Sequence, residues 1–253
     1  MPRDVEVPLT GGNVSVGVVR VGGTVRKPAT AATPAVEAFL GHLAAAGFTG
    51  APRTLGRDER GRHVLEYVPG VMADTLPPMT PAELRRLGAM IRGLHDAAAG
   101  FTPPPGARWE VVIPPDREEL VCHHDLAPWN LVRDGERWVF IDFDGAGPGS
   151  RLWDLGYAAH GFVPLRPGGD PAHDAARLRA LADGYRLDAH QRAALPELTA
   201  EHVRGMHRLL VDGARRGRRP WARLHAQGHA AYWAAAADYA AAHRGRFTAA
   251  LLA

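Results

Sequence analysis

Alternating β-branched residues fill the first third of the chain. The stretches 5–9 (VEVPL), 13–21 (NVSVGVVRV) and 23–28 (GTVRKP) are separated by Thr10-Gly11-Gly12 and by Gly22-Gly23, which predicts an antiparallel meander with glycine turns. Residues 33–48 (TPAVEAFLGHLAAAGF) change period. Val36, Phe39, Leu40 and Leu43 fall on one helical face, with Thr33 as N-cap, Pro34 in the first turn and Gly47 near the end. Two more strands, 53–58 and 63–70, flank the turn Glu59-Arg60-Gly61. From Thr80 the pattern is helical: Leu84, Leu87, Met90, Ile91 and Leu94 form a stripe, and Thr80 and Glu83 stand at capping-box spacing. After the loop 100–109 (GFTPPPGARW), the short strands 119–123 and 130–134 enclose a polar segment, and an apolar strand covers 137–144 (RWVFIDFD). Beyond Asp154 an alanine-rich helical pattern runs on without internal repeats. The expected class is α+β with two lobes: a β-rich lobe over 1–69 and a mainly α-helical lobe over 70–253, divided at Pro69-Gly70.

Composition narrows the setting. With 46% hydrophobic and 23% charged residues the chain is ordinary globular material. No run approaches the roughly 20 apolar residues of a membrane span, and the start MPRDVEVPL lacks a signal-peptide layout. A single cysteine, Cys122, excludes an internal disulfide framework and reads as a small buried hydrophobe. A soluble cytoplasmic protein is expected. The net charge of +3 hides an asymmetry. Residues 1–144 carry 15 Lys+Arg against 18 Asp+Glu, and residues 145–253 carry 15 against 9. The arginine run 214–219 (ARRGRR) is short and has no interleaved aromatics, so it reads as a solvated helix end rather than a nucleic-acid patch.

The chemistry concentrates in 121–132, VCHHDLAPWNLV. Asp125 and Asn130 are five residues apart on a loop containing Pro128, a spacing that can bring both side chains to one cavity edge. Asp142 follows twelve residues later, ending an apolar strand. A carboxylate, an amide oxygen and a substrate phosphate make the oxygen set that Mg²⁺ takes, completed by water. Asp125 is then left to orient a hydroxyl and accept its proton, the division of labour of phosphoryl transfer.

The segment HHDLAPWN resembles the H-x-D-x-x-x-x-N catalytic loop of the protein-kinase-like superfamily, and most closely the aminoglycoside/choline phosphotransferase branch, whose usual form is H-G-D-x-x-x-x-N. The segment IDFDGAGPGSRLWDLGYA resembles the second signature of that branch. The resemblance implies a two-lobed protein-kinase-like fold and Mg²⁺-dependent transfer from ATP (or GTP) to a hydroxylated small molecule, with antibiotics among the acceptors. It implies Asp125 as catalytic base, Asn130 and Asp142 as metal ligands, His123 as the structural histidine of the loop and Asp154 as the buried aspartate that braces it. In the first lobe it implies a Lys or Arg on the third strand, where Arg26 and Lys27 point to opposite faces and the distance to Pro28 favours Arg26. Glu37 is the only candidate for the helix glutamate paired with it. Gly11 and Gly12, in TGGNVS, mark the loop over the phosphates, and the backbones of Glu66 and Val68 in LEYVPG would meet adenine. His124 stands where the branch usually has glycine.

Other readings remain beside these. Asp144 reads as a solvated loop acid, with a second metal contact as the other choice. His160, His202 and the other late histidines read as surface or helix-face residues, and Trp221 and Trp233 as core or pocket wall. The pattern His123-x-Asp125 with His160 imitates an iron(II) triad, but that triad belongs to β-barrels and the following hundred residues are helical. A kinase-shaped binding or immunity protein without catalysis is the alternative function. The basic balance of 145–253 points to a neutral or weakly charged hydroxylated acceptor rather than a polycation.

Overall fold

A computed structural model describes residues 5–9 and 17–253; the glycine loop 10–15 with Gly11 and Gly12 lies outside the described residues. The strands β1 (Glu6–Pro8), β2 (Val19–Val21), β3 (Thr24–Lys27), β4 (Thr54–Arg57) and β5 (His63–Glu66) form an antiparallel sheet of order β1-β2-β3-β5-β4. The turn between β2 and β3 uses Gly22 at φ +56°, and the Thr24 hydroxyl closes it on the Val21 carbonyl at 2.8 Å. The register of β3 with β5 sets Lys27 opposite His63 and Arg26 opposite Val64.

Helix α1 (Thr33–Ala45) lies between β3 and β4 in the chain. Its N-cap is Ala32, one residue before the expected Thr33, because the Thr33 hydroxyl turns back to accept the Thr30 N–H at 2.8 Å. Val36, Phe39, Leu40 and Leu43 are buried as the period predicts. The Phe39 ring meets Phe101 at 5.2 Å and Phe143 at 6.2 Å, so the core runs without a break from the first lobe into the second.

The first sheet ends at Glu66, and β6 (Val71–Met72) already belongs to a second sheet. Helix α2 (Pro81–Ala98) starts with the expected capping box: the Thr80 hydroxyl accepts the Glu83 N–H and the Glu83 carboxylate accepts the Thr80 N–H. After β7 (Leu120–Cys122), strands β8 (Leu131–Asp134) and β9 (Arg137–Phe140) complete the second sheet in the order β6-β8-β9. Strand β9 stops at Phe140, short of the expected Asp144, because Asp142 takes a left-handed backbone at φ +63°. The unexpected strand β10 (Gly147–Gly149) then pairs with β7.

Helix α3 (Arg151–Phe162) starts before Asp154, capped by the Ser150 hydroxyl on the Trp153 N–H. The helices α4 (Pro171–Tyr185), α5 (Ala189–Arg215), α6 (Trp221–Ala226), α7 (His229–Ala242) and α8 (Arg244–Leu252) complete the second lobe. Helices α2 and α4 cross backbone to backbone at Gly88 and Gly184, where a Cβ would overlap the carbonyls of Leu181 and Arg85. Among the described residues no helix is long and apolar enough to cross a membrane.

Candidate active site

The loop after β7 is hung from Asp154 in the first turn of α3. One Asp154 oxygen accepts the His123 N–H at 3.0 Å and His95 Nε2–H at 3.1 Å, and the other accepts the His124 N–H at 2.9 Å. Full burial alone would raise this carboxyl, but the His95 hydrogen bond and the surrounding histidines hold it well below the usual carboxylate range. The His95 ring is fixed in turn by the Tyr185 hydroxyl at 2.8 Å from Nδ1. His123 is buried and neutral, its pKa pushed down by burial. Its Nε2–H donates to the Ile141 carbonyl at 3.0 Å, and its Nδ1 accepts the Asp125 N–H at 3.2 Å. Both ring nitrogens are therefore committed, which removes the iron-triad reading of His123.

Asp125 is half-buried. Buried Asn130 donates through Nδ2 to Asp125 Oδ2 at 2.7 Å and to the Asp125 carbonyl at 3.0 Å. The two acceptors fix which end of the amide is nitrogen and leave the Asn130 oxygen for another partner. The Tyr157 hydroxyl and the Trp129 side chain also favour the ionised carboxylate. Burial and the Asp142 charge outweigh these donors and push the Asp125 carboxyl up to about 6. Tyr157 itself is buried, and burial beside Asp125 keeps its phenol protonated.

The turn after β9 is anchored to the same loop. The Ile141 N–H donates to the Asn130 carbonyl at 2.8 Å while the Ile141 carbonyl receives His123, so Asp142 leaves from a residue gripped on both sides. Lys27 reaches this turn from β3. Its Nζ lies 2.6 Å from Asp142 Oδ1 and 2.6 Å from Asp144 Oδ2. Burial opposes the ammonium, but the two carboxylates hold its pKa above the ordinary value.

The structure thus brings together Asp125, Asn130, Asp142 and Lys27 and separates other expected members. Arg26, favoured by its distance to the proline, is on the opposite face of β3, half-buried beside Val19 and Val64 in register. Glu37 does not reach Lys27; it is paired with Arg57 at 3.1 Å. Asp144 is no solvated loop acid but the second partner of Lys27. Glu66 ends β5 with its N–H on the Arg53 carbonyl and its carboxylate on Arg53 and Arg137, and Val68 is buried with Val132 and Val139. His160 and His202 are buried rather than exposed. Burial pushes them down to about 4 and about 3, and they stack among Tyr157, Trp153 and Trp233 behind Asp125. Trp233 is core, while Trp221 packs against Gly213. Cys122 is buried as expected, and burial pushes its thiol well above the ordinary value.

Sequence reasoning missed Tyr157 and Trp129 as residues that act on the Asp125 carboxylate. It also passed over one signal that was available: Lys27 is the only lysine in the chain, although Lys and Arg together number 30.

A sheet lobe joined to a helical lobe, with Asp125 and Asn130 on one loop and Asp142 on the next, defines the protein-kinase-like class. A profile of the Phosphotransferase enzyme family matches residues 107–195. The trifolitoxin immunity protein of Rhizobium leguminosarum bv. trifolii is 34% identical over 209 residues, spanning 74% of this chain and 76% of that protein. The chain belongs to this phosphotransferase enzyme family. Its fold is shared with a microcompartment-associated aminopropanol kinase (TM-score 0.67, 19% identity, 97% of this chain and 94% of that one). An amicoumacin kinase solved with AMP-PNP, Ca²⁺ and Ami also shares it (TM-score 0.63, 14% identity, 83% and 81%). So does a choline/ethanolamine kinase family protein from Mesorhizobium loti (TM-score 0.62, 19% identity, 99% and 93%).

Proposed function

We propose that the protein transfers the γ-phosphoryl group of ATP (or GTP) to a hydroxyl of a small antimicrobial molecule and so protects the cell that makes or meets it. The carrying observation is the cluster itself: a carboxyl raised to about 6, an asparagine that orients it, and Lys27 of the first lobe paired with Asp142 of the second. Asp125 receives the hydrogen bond of the acceptor hydroxyl and takes its proton, and Asn130 keeps the carboxylate aimed. Lys27 binds nucleotide phosphate, and the backbone at Glu66 and Val68 takes the base.

Asn130 and Asp142 would hold Mg²⁺. The fit is supported by the Lys27 ammonium, a cation already seated 2.6 Å from Asp142 Oδ1, and by the hard oxygen donors themselves. When bound, the metal neutralises charge on the nucleotide phosphates. Asp142→Ala therefore abolishes metal-dependent nucleotide binding, and unchanged Mg·ATP affinity by calorimetry would remove Asp142 from the site.

The acceptor is a neutral or weakly charged hydroxylated compound. Trp129 beside Asp125 and Tyr232 on α7 keep 43% and 41% of their surface exposed, ready to stack on a ring or sugar face. The test is ATP consumption with mass-spectrometric detection of an added phosphate across aminoglycosides, macrolides, nucleosides, amino alcohols and peptides. Phosphorylation confined to polycationic aminoglycosides would overturn the acceptor class.

A second reading, a kinase-shaped immunity protein that binds without catalysis, is favoured by two observations. The curated relative is named for immunity, and Lys27 has no helix glutamate. Protection of cells by Asp125→Asn as good as that by the parent would select it.

A further inference from the structure

Among the described residues, Lys27 arrives at the turn after β9 with no acidic partner from its own lobe. The α1 face beside it presents Thr33 and Val36, which line the small space around Lys27 together with Thr30 and His63. Glu37 is the next residue along, about 100° further round the helix, and is spent on Arg57. A buried ammonium needs a counter-charge, and the two it has among the described residues, Asp142 and Asp144, come from the other lobe. A compact ammonium can sit 2.6 Å from two carboxylates at once, whereas a planar guanidinium spreads its charge over a fork. The chain's single lysine lies here.

We propose that Asp144 takes the place of the missing helix glutamate as the positioning residue for Lys27, and that the Lys27 ammonium is the resting occupant of the cation site. This rests on the assignment of Asn130 and Asp142 to the metal. Lys27 and a divalent cation then compete for Asp142. Nucleotide phosphate relieves the competition because it offers the ammonium another anion and adds oxygens to the cation site. Metal and nucleotide accordingly bind as a pair, and metal alone binds poorly.

The test is Mn²⁺ binding to the full chain without nucleotide, followed by electron paramagnetic resonance of the free ion. Lys27→Met and Lys27→Gln are expected to bind Mn²⁺ alone at least about tenfold more tightly than the parent, since a close charge pair no longer has to be displaced. Asp144→Asn should weaken Mg·nucleotide binding several-fold, Asp144→Glu should restore it, and Glu37→Gln should leave both affinities as they are. Equal Mn²⁺ affinity in the parent and both Lys27 variants overturns the proposal. So does a Glu37→Gln loss of nucleotide affinity as large as that of Asp144→Asn. Neither readout needs phosphoryl transfer, so a non-catalytic protein can satisfy both. Failure of every variant to bind Mn²⁺, with or without nucleotide, would overturn this proposal and the metal assignment together.

Discussion

One amide nitrogen, Asn130 Nδ2, holds both the side chain and the backbone of Asp125, at 2.7 Å from Oδ2 and 3.0 Å from the carbonyl oxygen. The orientation of this carboxylate is therefore set by a neighbour five residues away rather than by its own rotamer preference. Replacing Asp125 by Asn keeps the shape but removes the proton acceptor. Asp125→Asn is expected to melt within a degree or two of the parent, bind nucleotide normally and lose about two to four orders of magnitude in turnover. Near-normal kcat on a true acceptor would take Asp125 out of the base role.

The pH dependence follows from the same carboxyl. Burial and Asp142 push Asp125 up to about 6. A base works only in its ionised form, so kcat/KM should be level above that value and fall about tenfold per pH unit below it. The Tyr157 hydroxyl donates to the ionised form and opposes the shift. Tyr157→Phe removes that donor, so the acidic limb should move to higher pH. A limb that stays put or moves down would show that Tyr157 does not act on Asp125.

Asp154 carries three donors on two oxygens while fully buried. Asp154→Asn turns an amide nitrogen toward N–H groups that need an acceptor. The expected loss is about 3 kcal/mol, measured as a shift of the urea midpoint at constant slope. The native pKa lies below the unfolded carboxylate value of about 3.9. The stabilisation is thus complete above that value and is lost as pH falls below it. The gap between parent and variant should therefore narrow in acid, and a constant gap would contradict the assignment.

The residues that sequence reading placed well are those whose signal is local. The Thr80–Glu83 capping box and the Val36–Leu43 stripe depend only on neighbours along the chain, and both form. The Asp125–Asn130 spacing is equally local. What stayed hidden depends on facing. Strand β3 is covered on both sides, so its alternation does not say which face meets the cleft, and distance to Pro28 chose Arg26 where Lys27 turns inward. Glu37 differs from the inward face of α1 by one position, too small an offset to see without the helix axis. The apolar run through Ile141 and Phe143 reads as continuous strand because nothing local announces the left-handed backbone of Asp142. His160 and His202 read as surface or helix-face residues because alanine-rich helices have little polar contrast, and both are buried.

His124 occupies a left-handed backbone at φ +64°, where the family resemblance expects glycine. Such a conformation costs a residue with a Cβ about 1 kcal/mol or more. Its N–H bond to Asp154 is kept whatever the side chain, but the ring adds Nε2 contacts to the carbonyls of Gly147 and Pro148 at 3.1 and 3.0 Å, tying the loop after β7 to β10. The ring fits because residue 149 is glycine: a Cβ there would lie 2.8 Å from it. His124→Ala loses the ring contacts and keeps the strain, whereas His124→Gly loses the contacts and relieves it. The alanine variant should therefore be less stable than the glycine variant by about 1 kcal/mol. Gly149→Ala should cost about 1–3 kcal/mol in the parent by crowding the ring. In the His124→Gly background that cost should shrink to the contact left with the Cys122 sulfur, which a Cβ would meet at 3.2 Å. A double-mutant cycle in denaturant measures the difference. Additive losses would mean that the ring does not occupy the space beside Gly149 in solution.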